Sequence, residues 1–157
     1  MNDVVVDTNV FVHSNNPEEE FCPAARQLVQ IISDSKVILC LDEGFHTDPA
    51  KNKSQIGHEY IQHIRHGSFA FGLILKLVSE QRIRSLSRKV DIRSKKIICQ
   101  TIRKPVDRIF VCIAMNTLER VLVSHDFEDF SNNKRGHFNR ELAIRVITAQ
   151  EVLPHFA

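Results

Sequence analysis

Five acidic side chains, Asp7, Glu59, Asp107, Asp126 and Asp129, have the type and placement to do chemistry together. Asp7 ends the β-branched run VVVD, and Asp126 and Asp129 follow the similar run VLVS in VLVSHDFED. Parallel α/β folds turn the C-terminal ends of their strands toward one crevice, where such folds place their chemistry. Asp107 stands two residues after Pro105, in the expected first turn of a helix, and Glu59 sits in the amphipathic segment QIGHEYIQHI. Carboxylates gathered at one edge repel each other unless they share a cation. Hard oxygen ligands of this kind suit Mg²⁺ or Mn²⁺, which bind phosphate oxygens, activate water and stabilise charge on a phosphodiester.

Singly, each acid has a simpler role open to it. Asp7 can cap a following helical turn, Asp107 can complement a helix dipole, and Asp126 with Asp129 can form a capping pair. Glu59 can be a surface residue one step from a buried stripe. Their joint placement is what points to a metal site.

The elements that must hold them follow from hydrophobic patterning. VVV before Asp7 is continuously apolar, the mark of a strand covered on both faces, and this predicts a central first strand. PAARQLVQIISDS predicts a helix opened by Pro23, KVILCLD a second strand, and QIGHEYIQHI a helix with Ile56, Tyr60, Ile61 and Ile64 as its stripe. SFAFGLILKLVSEQRI and DIRSKKIICQTIR predict two more helices, so that about 68–104 is expected to be a basic helical region. PVDRIFVCIAMNT predicts a helix, VLVS a strand, and RVITAQEVLPHF a last strand with a closing helical turn. Alternation of strands and helices indicates βαβ units in a parallel sheet within one domain spanning 1–157.

Composition bounds the rest. A chain of 157 residues and 18.0 kDa can bury roughly two-thirds of its unfolded surface in a single core. Cys22, Cys40, Cys99 and Cys112 lack the spacing of a zinc or redox motif and read as reduced thiols. The longest apolar stretch, FAFGLILKLV, is too short to span a bilayer, and MNDVVVD does not look like a signal peptide, so the expected location is cytoplasmic, away from membranes. Net charge is only +2, yet nine basic residues fall between Arg82 and Lys104, against the single acid Asp91. Among them Arg82, Arg84, Arg88, Lys89, Arg93, Lys95 and Lys96 are candidates to follow a phosphate backbone, the alternative being a solvated helix face.

Histidine chemistry is disfavoured, because His58, His63 and His66 make no HExxH motif and no cysteine ligand pairs with them. No GxxxxGK phosphate loop is present.

Four blocks, VVVDTNVFV, IGHEYIQHI, PVDRIFVCIAM and VLVSHDFEDF, resemble the signature blocks of the PIN domain in order and spacing, and the resemblance runs from Asp3 to about Ile147. It implies a three-layer α/β/α sandwich with a central, mostly parallel sheet of four to five strands. It further implies a Mg²⁺- or Mn²⁺-dependent endonuclease, RNA being the favoured substrate. In that resemblance Asp7, Glu59, Asp107 and Asp126 match the metal-coordinating acids, Asp129 an auxiliary acid, and Asn9 and Ser124 the polar positions that orient the first acid and the metal-bound water. A role as toxin-antitoxin or defence effector, an antitoxin partner and a homodimer are implied as well. The other readings are a DNA nuclease and a PIN-like binding or assembly module without catalysis. Asp42, at the end of the second strand, competes with Glu59 for the place of the second acid.

Overall fold

A computed structural model describes residues 1–156. Five parallel strands, β1 (Asp3–Val6), β2 (Ile38–Asp42), β3 (Ile83–Leu86), β4 (Val121–Val123) and β5 (Arg145–Ile147), form one sheet in the order β3-β2-β1-β4-β5. As its apolar run predicts, β1 is central, and every residue in it is buried. Eight α-helices complete the described residues: α1 (Thr8–Ser14), α2 (Cys22–Asp34), α3 (Gln55–His63), α4 (Phe69–Ser79), α5 (Ile92–Thr101), α6 (Pro105–Met115), α7 (Asn132–Leu142) and α8 (Ala149–Val152).

The chain first steps from β1 outward to β2 and β3, then crosses back to β4 on the other side of β1 and on to β5. Right-handed crossovers running in opposite directions put their helices on opposite faces of a sheet. Accordingly α1, α2 and α4 pack on one another on one side, joined by α8, while α6, with α5 against it, covers β1, β2 and β4 from the other. The result is an α/β/α sandwich. Its core joins strand residues such as Val5, Leu39 and Leu122 to Phe11, Leu28, Phe110 and Ile113 from the two helix layers. No helix among the described residues is long and apolar enough to cross a membrane.

The strand β3 and the helix α7 differ from the sequence expectation. The region 68–104 is not purely helical, because the edge strand β3 lies between α4 and α5 and pairs with β2 from Leu39↔Ile83 to Asp42↔Leu86. IRSL is half-exposed and carries Arg84, so it lacks the apolar run that marks the buried strands. Charge on an edge strand is a common guard against edge-to-edge pairing.

The strand order reverses between β1 and β4. In parallel α/β sheets such a switch point is where chemistry is placed, and here Asp7 directly follows β1 while Asp126 lies three residues past the end of β4.

Candidate metal centre

The backbone at the end of β1 is fixed before any acid is placed. Asp7 N–H donates to Val123 O at 2.8 Å, continuing the β1–β4 ladder by one residue. The hydroxyl of fully buried Tyr60 donates to Val6 O at 2.5 Å, and its ring meets Phe11 edge-on at 5.2 Å. Asp7 occupies the N-cap position of α1 but makes no capping bond with its side chain. Its Oδ2 instead accepts from Asn9 Nδ2 at 3.0 Å and Ser124 Oγ at 2.7 Å. Ser124 Oγ also accepts from Asp126 N–H at 3.1 Å, and Asn9 Oδ1 accepts from His125 N–H, also at 3.1 Å. Asn9 and Ser124 thereby tie the end of β1 to the end of β4.

Asp126 folds its own loop. Its Oδ1 accepts from the N–H groups of Glu128 and Asp129, both at 2.9 Å, so the capping role that sequence allows it is present. Arg135 of α7 holds the outside of this loop, donating to the carbonyls of Ser124, Asp126 and Phe130 and lying 4.2 Å over the Phe127 ring. Pro105 starts α6 with a residue that needs no N–H partner, which sets Asp107 in the first turn, pointing at the same loop.

Asp107, Asp126 and Asp129 come together: a ligand oxygen from each lies within 4.8 Å of the other two. Asp107 is only 7% exposed, and its Oδ2 is buried without a hydrogen-bond partner. Lys104 Nζ lies 2.5 Å from Asp129 Oδ2, in an ion pair. Burial is the main cause that raises Asp107 to about 7, with the charges of Asp7 and Asp129 adding to it. Asp7 is raised to about 6, again mainly by burial, with the Ser124 hydrogen bond opposing and Asp126 contributing. Asp129 moves the other way, held below the usual carboxylate range by the Lys104 ammonium.

Asp7, Glu59 and Asp42 are not part of this group of three, Asp7 standing beside it. The Glu59 carboxylate lies 3.5 Å from His63 Nε2, one turn along α3, although the neighbouring Tyr60 fastens that helix to the end of β1. Asp42 is fully engaged elsewhere. Its carboxylate accepts from Ser54 Oγ at 2.5 Å, from the N–H groups of Gln55 and Ile56 at 2.9 and 3.0 Å, and from Arg88 Nε and Nη2 at 2.9 and 2.6 Å. With every lone pair occupied, Asp42 is the anchor for the N-terminus of α3 rather than a metal ligand.

The basic region divides in the same way. Arg82 donates to the carbonyls of Ile32 and Val37 and pairs with Glu80, Arg84 pairs with Asp3, Arg88 with Asp42, and Arg93 with Glu141. These four brace the fold, whereas Lys89, Lys95 and Lys96 are exposed and make no ion pair among the described residues. A cavity of about 830 Å³ lies between the end of α1 and the start of α4, with Arg26, Arg65, His66 and Phe69 in its wall and none of these acids among its lining residues.

Sequence reasoning gave no site role to Lys104, Arg135 or His125. Lys104 carried a signal, since K-P-V-D puts it three residues before Asp107 at the same helix start. His125 accepts from Ala149 N–H through Nε2, which leaves its proton on Nδ1, 3.0 Å from His13 Nδ1. Burial lowers His125 to about 4, so the ring stays neutral and serves to brace α1 against β4 and α8.

No family model, curated protein or solved structure matches this chain.

Proposed function

We propose that the chain is a Mg²⁺- or Mn²⁺-dependent endonuclease of the PIN-like kind, with RNA as the favoured substrate. The observation that carries this reading is the buried Asp107 Oδ2, which has no donor and stands among further carboxylates at the switch point of a parallel sheet. A buried, unpaired carboxylate oxygen is costly, and a cation is the partner that would relieve it.

Asp107, Asp126 and Asp129 would hold the ion, with Asp7 beside them as a further ligand or as a base for water. An ion held there would lower the pKa of bound water and stabilise charge on a phosphodiester. Asn9 and Ser124 fix Oδ2 of Asp7 and leave Oδ1 without a hydrogen bond among the described residues. With its ordinary proton affinity raised to about 6, Asp7 can take a proton from an attacking water near neutral pH. Glu59, on a helix fastened to β1, would join when substrate or ion draws it from His63. Lys89, Lys95 and Lys96, with Arg26 and Arg65 in the cavity wall, offer cations to a phosphate backbone.

Cleavage of one defined RNA and its single-stranded DNA counterpart, with Mn²⁺ and with chelator, tests this directly. Wild type is expected to cut RNA with Mn²⁺ only, and Asp107→Asn to lose at least a hundredfold in rate. Cutting of DNA in preference would move the substrate, and no metal-dependent cutting of either would overturn the reading.

A further inference from the structure

Among the described residues, Lys104 is the one cation that forms an ion pair with an acid of the cluster, and its surroundings show what keeps it there. It is the N-cap residue of α6, followed at once by Pro105, and its backbone is extended (φ −74°, ψ 126°), as expected before proline. This fixes the root of the side chain while its four methylenes remain free to turn. The side chain is 59% exposed and does not cap the helix.

A cation at a helix N-terminus opposes the helix dipole, so the position itself does not favour a lysine. What holds the ammonium is Asp129, whose Oδ2 lies 2.5 Å from Nζ, and Asp107 and Asp126 add their attraction. Asp129 belongs to the group of three acids that can close on one ion. A divalent ion and an ammonium at this carboxylate repel one another.

We infer that Lys104 is a tethered counter-ion which competes with a divalent cation for Asp129 and swings out to the mouth of the site when that cation binds. The inference rests on the metal-site reading and adds to it a residue that sets how tightly the ion is held. Once released, the ammonium stands at the rim, where a phosphate oxygen is its natural partner.

Mn²⁺ binding measured by calorimetry on the full chain tests this without reference to activity. Lys104→Met and Lys104→Gln are expected to bind Mn²⁺ at least tenfold more tightly than wild type, and Lys104→Arg to stay within about threefold. The same two charge-removing variants should melt lower in chelator and gain more than wild type when Mn²⁺ is added, since a ligand stabilises the folded state in proportion to its affinity. Equal or weaker Mn²⁺ affinity in both variants, with wild type binding normally, would overturn the role of Lys104 and leave the metal site standing. Absence of Mn²⁺ binding in wild type and all three variants would bring down the metal site and Lys104's role with it.

Discussion

Asp42 and Asp7 end neighbouring strands of the same sheet, and both are buried, yet they have opposite surroundings. Asp42 receives a hydroxyl, two backbone N–H groups and a two-pronged guanidinium. Asp7 receives an amide and a hydroxyl on one oxygen only, beside Asp107 and Asp126 rather than an arginine. A carboxylate supplied with donors on all sides is a joint in the fold. One left short of donors among others of its kind is a place prepared for something else. The difference is set by partners far away in sequence, not by the strand end itself.

The comparison is broken most forcefully at Asp42. Asp42→Ala is expected to destabilise the chain by about 3 kcal/mol, because the α3 N-terminus, Ser54 and Arg88 lose their common acceptor, a penalty tempered by the partial exposure of Arg88. A shift of the urea midpoint measures it. A loss under 1 kcal/mol would mean that Asp42 is not the joint described.

At the other acids the sign should reverse. In chelator, Asp107→Asn is expected to be neutral or to stabilise by about 1 kcal/mol, since an isosteric amide removes repulsion and can donate to Asp129. The same variant should bind Mn²⁺ at least tenfold more weakly. Denaturation and calorimetry on one preparation separate the two effects, and clear destabilisation in chelator would place Asp107 in the same class as Asp42.

A further expected effect is in pH. Asp7 and Asp107 have folded pKa values, about 6 and about 7, above the ordinary 3.8, so the folded chain holds more protons than the unfolded one between about pH 4 and pH 7. Stability in chelator should therefore fall as pH rises through that window. For Asp7 alone, the displacement from 3.8 to about 6 corresponds to about 3 kcal/mol at most, with other groups offsetting part of it. The melting temperature followed from pH 5 to pH 8 checks this, and Mn²⁺ or the pair Asp7→Asn with Asp107→Asn should flatten the slope. A slope unchanged by either would assign it to other groups.

The parts of the fold legible in sequence are those where burial is uniform or punctuation is chemical. VVV, ILCL and VLV announce β1, β2 and β4, and Pro105 announces α6 with Asp107 in its first turn. β3 was hidden because an edge strand with two half-buried isoleucine and leucine positions around Arg84 and Ser85 has no continuous apolar signal. α7 was hidden for a related reason: only Phe138 and Leu142 of its eleven residues are buried. The convergence of Asp107, Asp126 and Asp129 followed from strand ends and a helix start. The fate of Asp42 did not, since it turns on Arg88, a residue 46 positions away that arrives only when β3 pairs. Four of the seven candidate backbone-binding cations were likewise committed to partners that no local pattern names.

The register β1–β4, Val5↔Leu122 and Val6↔Val123, has a consequence for synthesis. Every acid of the cluster lies beyond residue 106, and the loop that carries Asp126 and Asp129 is clamped by Arg135. A chain still emerging from a ribosome therefore has no assembled cluster until Asp129 and Arg135 have been made and the β1–β4 pairing, the one of greatest sequence separation, has closed. The gathering of the acids arrives with completion of the sheet.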